Sequence, residues 1–186
     1  HDSMQVVKPF VRLSAAVLGR YNWGGWQGYG TVYQDGALWF NQGFVDQLTP
    51  MHYHWTTPNG FAQMLQGSNE SWLPYIQEGV SDGRLFSVGP GSYILADQNL
   101  WDNHTGIVNT VQDIEFVDGF QFFSNGTWED YQYWQEAGNT FFKEKTIIRH
   151  LPEYESTSVV APSPECQITQ IDELNYQLNI TRNSQG

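Results

Sequence analysis

One cysteine, Cys166, among 186 residues leaves no intrachain disulfide, so the fold must rest on its own core. Cations are scarce as well: 8 Lys and Arg stand against 20 Asp and Glu, a net charge of −12. A phosphate backbone needs clustered cations, and this balance argues against a nucleic-acid partner. No apolar run reaches the roughly 18 to 20 residues of a membrane span. Gly-x-Ser-x-Gly, P-loop, Gly-x-Gly-x-x-Gly, His-Glu-x-x-His and Cys-x-x-Cys patterns are all missing, which removes the common hydrolases, NTPases and dehydrogenases. No internal repeat supports a solenoid or propeller.

What the chain does have is rings. With 8 Trp, 10 Tyr and 11 Phe, aromatic residues make up 16% of the chain, against 15% charged, a composition of folded rather than disordered protein. The length predicts one domain over 1–186, with a Pro- and Ser-rich connector at 152–164 leading to a C-terminal segment. Sequons occur at Asn69, Asn103, Asn125 and Asn179, and the first three lie in polar, turn-like sequence. They predict a secreted or secretory-pathway glycoprotein. His1 fits the start of a mature chain after signal-peptide removal, and an expression-vector remnant would look the same.

Local patterns predict a mainly β protein. Val6, Phe10, Leu13 and Val17 recur at helical spacing, although Pro9 limits the length of that helix. Asp35-Gly36, between Tyr29–Gln34 and Ala37–Asn41, predicts a two-residue hairpin. Thr57-Pro58 predicts a capped helix start, and Ser71 to Glu78 a second short helix. Strands are expected over Arg84–Val88, Ser92–Trp101, Ile107–Val117, Phe120–Phe123, Trp128–Trp134 and Thr140–His150, with turn residues between them. Ile168, Ile171, Leu174 and Leu178 fit a helix, whereas Tyr176–Thr181 alternates as a strand. The expected fold is an antiparallel β-barrel or sandwich with a few short helices and an aromatic-lined cavity. An α+β NTF2-like cone is the alternative.

Met51-His52-Tyr53-His54-Trp55 is the most chemical segment. On a strand His52 and His54 share a face, where they can act as acid and base, with Tyr53 as a further proton donor. A metal reading of His-x-His needs a later acidic ligand, and Pro58 and Asn59 stand in those places, so no metal is expected there. A second metal reading joins His1 to His52, His54 or His104 as a copper site. Lys143, Lys145 and Arg149 share one face of the expected Thr140–His150 strand. They can anchor an acidic ring or merely guard a sheet edge. Trp23, Trp26, Tyr29, Trp55 and Trp134 are candidate cavity walls, and such walls also serve as carbohydrate platforms.

The four sequons, the lone Cys166 and the aromatic and glycine-rich stretch Tyr21 to Gly36 resemble the small, secreted, N-glycosylated fungal pericyclases. Closest in character are the hetero-Diels–Alderases that join a tropolone to a sesquiterpene. The resemblance implies a cofactor-free dehydration to a quinone methide, followed by cycloaddition with a terpene alkene. From the residue chemistry, His52, His54 or Tyr53 would donate the proton and Lys143 or Arg149 would hold the acidic ring. The expected partner is a small hydrophobic or acidic aromatic molecule, and a homodimer is left open. A secreted carbohydrate- or lipid-binding module without catalysis, and a copper-dependent oxidase built on His1, are the competing functions.

Overall fold

The computed structural model describes residues 2–8 and 11–144, together with the backbone of 165–170 and 176–181. The chain divides into two compact units, His1–Pro152 and Glu153–Gly186. In the first, β1 (Ser14–Leu18), β4 (Gln47–His52), β5 (Leu85–Pro90) and β6 (Gly119–Phe120) form a four-stranded sheet in that spatial order. Every pairing is parallel: Ser14 opposes Gln47, Gln47 opposes Leu85, and Ser87 opposes Gly119. A parallel pair cannot be joined by a tight turn, so each connection carries helices. These are α2 (Gly28–Val32) and α3 (Gly36–Asn41), then α4 (Pro58–Gln66) and α5 (Leu73–Ser81), then α6 (Ser92–Asp97) and α7 (Asn103–Gln112). Strand order follows chain order, so the sheet is wound in one direction.

The larger of two hydrophobic clusters packs the crossover helices on the sheet. Val17, Leu48, Phe86 and Val88 project from the strands onto Phe40 of α3, Phe61 and Met64 of α4, Ile76 of α5, Leu95 of α6 and Ile107 of α7. All five helices therefore cover the same face, as right-handed crossovers in sequential order require. The central strand β5 is buried from end to end. The other face carries small and polar side chains, among them Ser14, Ala16, Thr49 and a hydrogen bond from Gln47 Nε2 to Ser87 Oγ at 2.7 Å. A second cluster, Val108, Trp128, Tyr133, Ala137 and Phe141, joins α7 to α8 (Asn125–Asp130) and α9 (Trp134–Asn139). Two further helix and hairpin pieces complete the unit: α1 (Asp2–Val7), and β2 (Asn22–Trp23) paired with β3 (Trp26–Gln27). The second unit contains the antiparallel pair β7 (Glu165–Gln170) and β8 (Tyr176–Thr181). No helix among the described residues is long and apolar enough to cross a membrane.

The architecture is thus α/β, which overturns the expected mainly β barrel or sandwich; the parallel sheet likewise displaces the antiparallel cone. Several local misreadings account for it. Asp35-Gly36 does not turn a hairpin: Asp35 Oδ1 accepts the Leu38 N–H at 3.0 Å as the cap of α3. Gly36 lies so close to Val17 that a Cβ would stand 3.1 Å from its side chain. Ser92–Trp101 and Ile107–Val117, rich in β-formers, belong mainly to α6 and α7, because Ile107, Val108, Val111 and Ile114 place their methyls inward at helical spacing. Trp128–Trp134 spans the end of α8 and the start of α9. The Val6–Leu18 helix gives way to α1 and then β1. Phe141 to Glu144 are not strand, and 145–164 lie outside the described residues. By contrast α4 starts at Pro58, with Thr57 Oγ1 accepting from the Gly60 N–H, and α5 falls on the second expected helix. Tyr176–Thr181 is strand, and Cys166 lies in β7.

Candidate functional site

In a parallel sheet covered by crossover helices, ligands approach the carboxyl ends of the strands, where the connecting loops diverge. Here that edge is built of rings. Past β1 the chain runs Gly19, Arg20, Tyr21 and into the β2–β3 hairpin, whose turn glycines Gly24 and Gly25 have φ of 47° and 103°. Two successive positive φ values suit glycine and set Trp23 opposite Trp26, their rings 4.8 Å apart. Past β4 comes Trp55, stacked on Trp23 at 6.4 Å and 19°. The Arg20 guanidinium lies 6.0 Å from the centre of the Trp55 ring. Gly19 is needed beneath it, since a Cβ there would stand 2.8 Å from Trp55 Cζ3.

A second ring patch completes the edge. Tyr53 stacks on Phe123, past β6, at 5.2 Å and 25°, and Tyr93, past β5, meets both at 5.7 and 5.8 Å. The bridge between Gly91 and Phe123 extends the β5–β6 pairing to this point. Burial, with Tyr93 beside it, raises the Tyr53 phenol above its ordinary range. Polar groups frame the first patch. Glu70 accepts the Gly24 N–H at 3.1 Å and lies 3.9 Å from Arg20, while Asn22 donates to the Tyr75 hydroxyl at 3.1 Å. Tyr21 donates to Asp35 at 3.0 Å, and burial together with that carboxylate raises its phenol strongly.

His52 sits behind Trp55, their rings 5.9 Å apart and nearly perpendicular, with Phe61 at the same distance. It is fully buried, and burial alone pushes its imidazole down to about 3, so the ring is neutral near pH 7. Its Nδ1 accepts the Gly89 N–H at 3.3 Å, which places the ring proton on the partnerless Nε2. A neutral, enclosed imidazole is a poor general acid. His54 is exposed.

The structure thus gathers Trp23, Trp26 and Trp55 in one place and sets Tyr53 in the second patch, with Tyr93 and Phe123. Tyr29 is on α2, half exposed and 6.0 Å from Tyr21. Trp134 stands apart on α9, and exposed Lys143 lines a groove of about 810 Å³ with Arg12, Gln47, Ser87 and Phe120. His1, Lys145 and Arg149 lie outside the described residues, as does the side chain of Asn179. Among the described residues, no three of His, Cys, Asp and Glu stand close enough together to hold a metal ion. Asn69 and Asn125 are exposed, whereas the Asn103 amide is spent on the Thr56 carbonyl at 2.8 Å.

Sequence reasoning missed Tyr93 and Phe123, which lie far apart in the chain; the only local signal is a glycine at the strand end, as at Gly19 and Gly91. It also missed a buried relay. Trp128 Nε1 donates to Ser92 Oγ at 2.8 Å, Ser92 donates to His104 Nε2 at 2.8 Å, and His104 Nδ1 donates to the Trp101 carbonyl at 2.7 Å. Burial lowers the His104 imidazole, the Trp101 carbonyl opposing this in part. Ser92 and His104 are fully buried and fully bonded, so the trio fastens α6, α7 and α8 rather than offering a nucleophile. No family model, curated protein or solved structure matches the chain, and the site is read from its own geometry.

Proposed function

We propose that the carboxyl edge of the parallel sheet binds a saccharide. The observation that carries this reading is the half-buried group Trp23, Trp26 and Trp55 at the ends of β1 and β4, with Arg20 against the Trp55 ring. A sugar ring offers an apolar C–H face to stack on indole and hydroxyls at its rim that need donors and acceptors; Arg20 and Glu70 supply these beside the rings. The rings are held in advance: the hairpin is fastened by Glu70 and Trp55 is backed by the neutral His52, so little ordering is left for binding to impose. We read the protein as secreted, which the exposed sequon at Asn69 supports.

The test is isothermal titration of the protein with cello-, chito-, xylo- and malto-oligosaccharides, repeated on Trp23→Ala. One series binds saturably, and loss of an indole stack of about 1–2 kcal/mol weakens it about 5- to 30-fold in a variant that stays folded by circular dichroism. Silence from all four series, or equal binding by the variant, refutes the reading.

A further inference from the structure

A separate cavity of about 490 Å³ opens between β6, α8 and α9. Its walls are Phe120, Phe122, Trp128, Trp134 and Phe142, and no lining side chain carries a charge. Both indole N–H groups are already engaged, Trp128 with Ser92 and Trp134 with Glu129 at 2.8 Å, so the walls present ring carbon. Phe120 and Phe122 lie nearly parallel, 5.6 Å apart at 10°, and the Ser92–His104 relay fixes Trp128 from behind. Trp134 and Phe142 remain 50% and 41% exposed at the mouth, a cost in exposed apolar surface that an occupant would remove. Polar groups are confined to Ser124 and Asn125, and Ser124 Oγ is already engaged with Thr127. Asn125 is left to make a bond.

We infer that this cavity binds a neutral, rigid, fused-ring molecule carrying one hydrogen-bonding group, which lies between the Phe120–Phe122 pair and Trp134 and meets the Asn125 amide. The volume falls within the range of small-molecule sites, and uncharged walls disfavour an ion. This goes beyond the saccharide reading and does not depend on it.

Gly138 offers a clean plug. It lines the cavity, and a Cβ built on it meets nothing within 4 Å, so the side chain of Gly138→Leu starts in open space at the cavity wall. The probe is N-phenyl-1-naphthylamine, a neutral fused-ring amine whose fluorescence rises on transfer out of water. Expected are saturable one-to-one binding by the parent, at least tenfold weaker binding by Gly138→Leu and by Trp134→Ala, and about two- to fivefold weaker binding by Asn125→Ala. Trp134 is half exposed, so its variant reports on the site even if Gly138→Leu does not fold. Absence of a saturable signal from the parent overturns the inference, as does parental binding by Trp134→Ala or by a folded Gly138→Leu.

Discussion

Two regions of this unit are equally rich in rings and each holds a buried histidine, yet they are built for different neighbours. At the sheet's carboxyl edge, Trp23, Trp26 and Trp55 keep company with Arg20 and Glu70, and the histidine behind them leaves Nε2 without a partner. Between β6, α8 and α9, charges are absent from the cavity wall, and both nitrogens of His104, on α7 behind it, are bonded. Ring content alone therefore says nothing about ligand polarity; the groups beside the rings decide it. The two histidines differ in the same way: His104 is a joint between three helices, while His52 fills space behind the edge and holds one backbone amide.

The largest effects should come from that difference. His104→Phe keeps the ring volume but leaves the Ser92 hydroxyl without its acceptor and the Trp101 carbonyl with only the His104 backbone N–H, and urea denaturation should show a loss of about 2 to 3 kcal/mol. The matching His52→Phe strands only the Gly89 amide and should cost about 1 kcal/mol. Equal costs would break the comparison.

Acid should act next. His52 has a folded-state value lowered to about 3, against about 6.5 unfolded, so the unfolded chain binds the extra proton and stability falls as pH drops through that window. Between pH 7 and pH 5 this costs about 2 kcal/mol. Burial shifts His104 in the same direction, adding to the slope. Denaturation midpoints at the two pH values should converge for His52→Gln relative to the parent; an unchanged slope would mean His52 is hydrated.

The smallest effect concerns Lys143. It is exposed in a groove apart from the tryptophan group, so Lys143→Ala should change stability by no more than about 0.5 kcal/mol and leave oligosaccharide affinity untouched. A tenfold loss of affinity would return it to the role the sequence suggested. Glycan occupancy sharpens the picture: peptide mass spectrometry of material from a eukaryotic secretory host should find Asn69 modified, Asn103 bare because its amide is bonded to Thr56, and Asn125 bare because its amide lines the cavity.

What could be read from the sequence was what is decided within a few residues. Thr57-Pro58 announced α4 because a cap and a first-turn proline act on their own turn. Asp35-Gly36 misled because the same pair serves a hairpin turn or a helix cap, and contact of Gly36 with Val17 selects the cap. Ile107 to Val117 misled because β-branched residues favour strands until a helical stripe is buried against a sheet. Parallel pairing of Ser14 with Gln47 and of Gln47 with Leu85 has no local signature, so the fold class was hidden. For the same reason Trp23, Trp26 and Trp55 could be named as walls, while the separate place of Trp134, on another cavity, and the pairing of Tyr93 with Phe123 were hidden.

The most direct test watches the indole N–H resonances of the protein during titration with the oligosaccharide series that binds, with assignments from single Trp→Phe variants. The account predicts that Trp23, Trp26 and Trp55 shift together at one affinity, while Trp128 and Trp134 stay in place. Movement of Trp128 and Trp134 instead, or of none of the five, would contradict it.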